Sequence, residues 1–327
     1  MSPSDDTPQT QQPRMAGWHF HPVLPLKISP YFILPVRLTE MLRWLVRSWL
    51  PLTERLLFLG LAILSWVYLT PALELCVTIS ASWILPIYLK NLGLMLLIAG
   101  GLHLYLYRFK GQGRSLKFDN SMANKDGRKF TFGNQVRDNI FWSLASGVTV
   151  WTATECTLLW LHANGYAASM SYADNPLWFI GLFMLVPVWN SSWFFVIHRA
   201  LHWPPLYKLA HHVHHRNVSV GPWSGNAMHP IEHVIWLSGV FIYAFISCNP
   251  LHIIFSQHLS ILGAVVSHSG YEGLVIGQKR RMKMGDFFHQ LHHRYYDCNY
   301  GTAEVPLDKW HGSFHDGTAE GAKVLKR

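Results

Sequence analysis

Residues 177–215 read LWFIGLFMLVPVWNSSWFFVIHRALHWPPLYKLAHHVHH. The first half is an uncharged apolar run, and a bilayer crossing takes about 20 such residues. The second half, from His198, holds six histidines in eighteen residues. Helical residues three and four apart share a face, so His198 and His202 form one pair at the end of the apolar run. Trp203-Pro204-Pro205 then interrupts the chain, and Pro205 suits the start of a new helix. On that helix His211, His214 and His215 stand at i, i+3 and i+4. The same pattern returns at His289, His292 and His293, in HQLHH. A lone histidine at such a place is an ordinary interfacial or core residue. Three arrays at ligand spacing point instead to a metal site, because neutral imidazole suits Fe, Zn, Cu and Ni. Eight clustered histidines without a metal would also gather positive charge on mild acidification. One metal takes three to six protein ligands, which leaves enough here for two.

The composition agrees with a membrane setting. Hydrophobic residues make up 50% of the 327, mean hydropathy is +0.13 and only 14% are charged, against roughly 25% in soluble domains. Fifteen tryptophans and thirteen tyrosines supply amphipathic rings of the kind that gather at membrane interfaces. Cys76, Cys156, Cys248 and Cys298 lack CxxC spacing and read as buried thiols, not as a disulfide frame or zinc ribbon. The net charge of +9 fits loops that face anionic headgroups. No basic stripe with interleaved aromatics lies outside the histidine region, so no nucleic-acid partner is expected. The opening MSPSDDTPQTQQPRMAGWHF is polar, with no apolar h-region, and reads as a disordered tail and not a signal peptide.

Spans are expected at about 56–80, 83–107, 140–161 and 177–197. The apolar block 234–266 has 33 residues, too many for one simple crossing. Asn249-Pro250 divides it, and a proline there ends or kinks a helix, so it reads as a helical hairpin that returns to its starting side. The segment 108–137 holds eight Lys or Arg, whereas the loop between the third and fourth spans holds none. By the positive-inside rule the N-terminus, 108–137 and everything after Ile197 face the cytoplasm. Sixteen of the twenty histidines lie between His198 and His315, on that face. The expectation is an all-α integral membrane protein of about four transmembrane helices plus a helical hairpin, with a cytoplasmic-face helical cap carrying the histidines. Its parts are a polar N-terminal and membrane-proximal segment (1–50), the spans (51–197) and a histidine-rich region (198–327) that includes the hairpin 234–266.

HRALH, HHVHH and HQLHH, in this order, resemble the histidine boxes of the membrane fatty-acid hydroxylase and sterol desaturase superfamily. NAMHPIE (226–232) is similar to the His-Pro-aliphatic-acid segment of methylsterol oxidases and sterol C5-desaturases. VSHSGYE (266–272) is similar to the His-Ser-Gly-Tyr segment of methylsterol oxidases and cholesterol hydroxylases. Asn299-Tyr300-Gly301 and the stretch from Asp308-Lys309-Trp310 to Phe314 resemble the family's ending, although His311 stands where the family usually has an aromatic. The likeness covers about 190–316. Carried over position by position, it implies as metal ligands His198, His202, His211, His214, His215, His229, His268, His289, His292 and His293. His212 and His233 fit no position of the pattern, and His252 and His258 fall within the hairpin. Glu232, Glu272, Asp286 and Asp297 adjoin motif histidines, where a carboxylate can orient an imidazole N–H.

The resemblance implies a centre of two iron ions that uses O2 as co-substrate on an unactivated C–H bond of a membrane lipid, with hydroxylation ahead of desaturation. The lipid classes served by the superfamily include fatty acyl chains, sterols and bacterial aminolipids. No HPGG haem segment appears, so electrons would come from a separate ferredoxin, cytochrome b5 or reductase. The lack of a C-terminal dilysine retrieval signal leans toward a bacterial inner membrane over the ER. The competing class is a histidine-rich metal transporter or sensor. Transporter ligands sit near the bilayer midplane on broken helices, whereas these cluster after the last full span. A structural zinc site would need four ligands and leave the others unexplained.

Overall fold

The computed structural model describes residues 18–49, 53–121, 123 and 128–324. Helix α1 (Leu38–Trp49) carries Leu38, Leu42 and Val46 as an exposed stripe at four-residue spacing, with Leu45 and Trp49 turned to the core. An exposed apolar face beside Arg43 and Arg47 suits the headgroup boundary of a bilayer. Helix α2 (Glu54–Leu69) stops before Thr70-Pro71. Proline has no N–H to extend the ladder, and it pushes the residue before it out of helical geometry. The first span is therefore shorter than the expected 56–80, and residues 73–76 form only a 3-10 turn. Helix α3 (Ala81–Arg108) starts at Ser80, whose side chain accepts the Ser82 N–H. Helix α4 (residues 135–163) starts at Asn134, which accepts the N–H groups of Val136 and Arg137 and so satisfies donors a helix start leaves open. Helix α5 (Pro176–Leu201) is capped by Asn175 with Pro176 in its first position.

Helix α6 (residues 204–215) opens on Pro204-Pro205 and contains a π turn at Tyr207–His211. Helix α7 (Pro230–Ala244) tightens to 3-10 geometry after Leu237. Asn249 caps helix α8 (Pro250–Ser267), so the apolar block divides at Asn249-Pro250 as expected. Helix α9 (Phe287–Tyr295), capped by Asp286, carries HQLHH.

Among the described residues α3, α5 and α8 are long and apolar enough to cross a membrane, or four spans if α1 and α2 count as one bent crossing. The protein is a multi-pass, mostly helical membrane protein. Helix α4 falls outside that count because Thr149, Thr152, Thr154 and Glu155 dilute its apolar run. Thr152, Thr154 and Glu155 are satisfied internally. Buried Glu155 pairs with Lys90 of α3 and accepts from Asn91 Nδ2 at 3.0 Å. Glu155→Ala leaves a buried ammonium unpaired, so it is expected to cost about 3–5 kcal/mol. The loss is read as a lower thermal midpoint in detergent, most of it recovered in the double variant Lys90→Met/Glu155→Leu.

The chain turn at 245–249 meets the Lys- and Arg-free loop after α4: the N–H of Cys248 donates to Ala168 O (3.2 Å) and that of Met170 to Cys248 O (3.0 Å). The basic segment after α3 packs at the other end, with the Phe118 N–H on Gly270 O (3.0 Å) and the Glu272 N–H on Leu116 O (2.9 Å). That second end also holds α6 and α9.

Two expectations need correction there. The cap is not wholly helical: β1 (Gly273–Ile276) and β2 (Lys279–Lys283) form an antiparallel ribbon with Gly273 opposite Lys283. Gly277 and Gln278, at φ 57° and 61°, make the tight turn that such a ribbon needs. The tail expected over residues 1–20 is also contradicted from Trp18 onward. Residues 1–17 lie outside the described residues, but Trp18 packs edge-on against Phe287 at 4.9 Å, with the Arg294 guanidinium 4.0 Å from its ring. Trp18, Phe20, Leu24 and Leu26 thereby close a small core over Phe118, Phe287 and Leu291.

Candidate metal centre

Nine of the ten proposed ligands converge in two groups. His198, His202, His211, His215 and His292 form one, and His214, His268, His289 and His293 form the other, with one candidate ligand atom of each residue within 4.8 Å of the rest of its group. Helical phase explains the sorting. His211 and His215 are four apart and stay together, as do His289 and His293, while His214 and His292, each three from its array's first member, turn to the opposite group. Each HxxHH array therefore serves both groups and does not aim at one point. His214 and His215, adjacent in sequence, have ring centroids 5.7 Å apart, so the groups adjoin.

Four of the outer nitrogens are tied down. Nδ1–H of His198 donates to Tyr300 O (2.6 Å), that of His292 to Cys298 O (2.6 Å) and that of His268 to Ala264 O (2.8 Å). His211 Nδ1–H donates to Glu232 Oε1 (2.7 Å). Each bond fixes the tautomer and directs the Nε2 lone pair inward. His292 Nε2 then lies 3.0 Å from His215 Nε2 and 3.2 Å from His202 Nε2, and His268 Nε2 lies 3.1 Å from His293 Nε2. Nitrogen lone pairs gathered at this range repel unless a cation sits among them. His198 Nε2 and both ring nitrogens of His289 are buried without a hydrogen-bond partner. An all-imidazole donor set of this kind fits a redox-active transition metal.

Burial and mutual repulsion hold His211, His214, His215, His289, His292 and His293 well below the usual imidazole range, and burial pushes His202 down to about 2. All present the neutral form a metal requires. Burial pushes the Glu232 carboxyl well above its usual range, and its Oε2 has no partner. A cation within the histidines would favour its charged form. Glu232→Ala is expected to weaken metal binding 10–100-fold, the usual effect of losing such an orienting partner, as measured by chelator competition.

His229 joins neither group. Its Nδ1 accepts the Ile231 N–H and caps α7 (3.2 Å), and its ring lies 6.0 Å from that of Trp142. His212 is exposed. His233 is buried against Ser146 Oγ (2.7 Å), and His252 contacts Phe179 O (2.8 Å). His258 is fully buried in α8 beside Trp151. Of the four acids, only Glu232 bonds a motif imidazole: Glu272 pairs with Arg280 (3.4 Å), Asp286 caps α9, and Asp297 is exposed. His311 stacks on Phe195 at 5.3 Å.

The NYG and Asp308 segments act through backbone. Asp308 accepts the N–H groups of Tyr300 (2.8 Å) and Gly301 (2.7 Å), which sets Tyr300 O against His198. Asn299, at φ 53°, spans Phe288 O and His315 O with its amide (3.0 Å each). In the HSGY segment Gly270 has φ 78°, and a Cβ there would lie 2.6 Å from the Tyr107 hydroxyl. That hydroxyl donates to Ser269 O (2.8 Å) and steadies the turn after His268. The carbonyls of Cys298 and Tyr300 are contributions that side-chain spacing alone does not show.

The model of the fatty acid hydroxylase family matches residues 183–313, a stretch that contains all nine converging histidines. Residues 183–313 are similar to the fatty acid hydroxylase family. The chain is similar to the Delta(7)-sterol 5(6)-desaturase of Candida glabrata, 30% identical over 176 residues (50% of this chain, 46% of the relative). It is also similar to methylsterol monooxygenase 1 of Danio rerio, 30% identical over 123 residues (37% and 42%). A third relative, the Delta(7)-sterol 5(6)-desaturase ERG3B of Gibberella zeae, is 26% identical over 132 residues (40% and 40%). The chain thus spans less than half the length of each of these relatives. No solved structure matches it. The family segment runs from α5 through the Asp308 turn; α1 to α4 lie outside it.

Proposed function

We propose that the protein is a membrane-bound di-iron oxygenase that oxidises a lipid C–H bond, hydroxylation ahead of desaturation. The observation that carries this reading is the pair of adjoining, buried, all-histidine groups at one end of the apolar helices. Its five- and four-histidine sets are enough for two metals. Two irons bound there would supply O2 reduction and removal of hydrogen from an unactivated carbon.

The protein's own residues do the rest. The outward bonds of His198, His211, His268 and His292 hold the imidazoles neutral and oriented. The spanning helices admit the substrate from the bilayer and exclude water from the reacting carbon. In hydroxylation one oxygen atom enters the C–H bond and the other leaves as water, with electrons from an external carrier. The exposed basic ribbon KRRMK and the basic segment after α3 support a cytoplasmic histidine end, where a soluble carrier of acidic surface can dock. The three named relatives, two desaturases and a monooxygenase of sterols, support this class of substrate and reaction. The decisive comparison is of lipid extracts from deletion and overexpressing cells. One lipid class should gain the mass of a single oxygen in proportion to expression, and an unchanged lipid profile with normal protein levels would reject the proposal.

A further inference from the structure

His202 is the least buried member of the five-histidine group. It stands at the C-terminal end of α5, where Trp203-Pro204 closes the helix. Hydrogen bonds fix the outward nitrogens of His198, His211 and His292, but His202 Nδ1 has no partner. An imidazole that must aim Nε2 at its neighbours then needs something else to set its plane. Three tyrosine rings surround it: Tyr296 at 4.5 Å and 61°, Tyr300 at 4.8 Å and 75°, and Tyr207 at 6.1 Å. The first two meet it edge-on, a favoured arrangement of aromatic rings. The four-histidine group has the Phe194 ring beside it and, among the described residues, no tyrosine.

Tyr296 reaches this position through a strained turn. It follows α9 with φ 72° and ψ −57°, the rare form of the γ-turn, closed by the Asp297 N–H on Tyr295 O (2.9 Å). A bulky residue at positive φ is an outlier of backbone geometry, and such strain gathers where a site makes use of it. The Tyr296 N–H donates to His292 O (2.7 Å), which ties the turn to a second member of the group. The turn carries the Tyr296 ring back over the histidines, 4.5 Å from His202 and 5.1 Å from His215. Its hydroxyl bonds that of Tyr207 on α6, whose ring lies 5.2 Å away. Helices α5, α6 and α9 are thus linked through rings that meet at one histidine.

We propose that Tyr296 is a positioning residue of the metal centre: its ring, locked by the γ-turn and by Tyr207, sets the plane of His202 and so completes the five-histidine group. The proposal rests on the metal-centre reading of the histidines. The ring does the positioning, and the hydroxyl serves to hold the ring. Relaxing the turn would remove backbone strain but leave His202 free to rotate, and a donor that must be re-ordered on binding lowers affinity. Stability and metal affinity therefore pull in opposite directions at this residue.

The test uses the full chain in detergent, stripped by chelator and titrated with Co(II), whose absorption bands report its coordination. The unaltered protein is expected to take up two ions, one per histidine group. Tyr296→Ala and Tyr296→Gly both remove the ring, but only glycine suits the positive φ, so the glycine variant should unfold at the higher temperature of the two. Both should weaken binding at one site by roughly 10–100-fold, the usual effect of losing an orienting partner, and shift the bands of that site alone. Tyr296→Phe, which keeps the ring, should keep both sites. Recovery of affinity together with stability in Tyr296→Gly would show that the residue only holds the fold, and would overturn the proposal. A loss in Tyr296→Phe equal to that in Tyr296→Ala would overturn the role of the ring. Two bound ions with the same affinities and bands in all three variants refute the positioning role alone, whereas an unaltered protein that binds no Co(II) refutes the metal-centre reading with it.

Discussion

His292→Ala is expected to reduce lipid oxidation by more than about 100-fold, beyond the range for losing an orienting partner, and to strip metal from the five-histidine group. His292 is fully buried, its Nδ1 is held by Cys298 O, and its Nε2 is within 3.2 Å of both His202 and His215. No neighbouring side chain can fill the gap left by the ring. Two substitutions frame this result. His311→Ala changes an exposed ring stacked on Phe195 and should leave metal content intact. His229→Ala should also retain the full metal load, because His229 caps α7 and joins neither group. Family resemblance alone assigns His229 as a ligand, so metal analysis of this variant separates the two readings.

The second large effect is acid lability. The buried histidines are held neutral in the folded protein, below the ordinary value near 6.5, by desolvation and by one another. Below that value the unfolded chain binds protons that the folded chain does not, so stability is full above about pH 6.5 and falls as pH drops. Each such histidine costs about 1.4 kcal/mol per pH unit once the unfolded form is fully protonated. Six or more titrating together exceed the about 5–15 kcal/mol of a typical fold within roughly one to two units. Metal release and unfolding should therefore coincide near pH 5, read by metal content and circular dichroism on one sample. Retention of metal and fold at pH 4 would contradict it.

Much of this was legible because the signals are local. An apolar run leading to HRALH names a helix that leaves the membrane at a metal site, and Asn249-Pro250 marks the hairpin's turn through capping chemistry. Helical spacing singled out eight of the nine converging histidines, and the resemblance of VSHSGYE added His268. Spacing could not say that His214 and His292 cross to the opposite group, because that depends on how α6 and α9 are rotated against each other. The two-stranded ribbon was hidden because KRRMK has neither apolar alternation nor a strong turn pair. The packed segment from Trp18 was masked by the polar residues before it, and its partners Phe118 and Phe287 are remote in sequence. Backbone ligand supports at Tyr300 and Cys298 have no side-chain signature at all.

The central claim is that the two histidine groups hold two irons. Metal analysis of protein purified without added metal, with Mössbauer spectroscopy on iron-57-enriched cells, tests it most directly. The account predicts close to two irons per chain with the spectrum of a coupled pair, falling sharply in His292→Ala. A unaltered protein that folds with zinc alone, or with a single isolated iron, would contradict it.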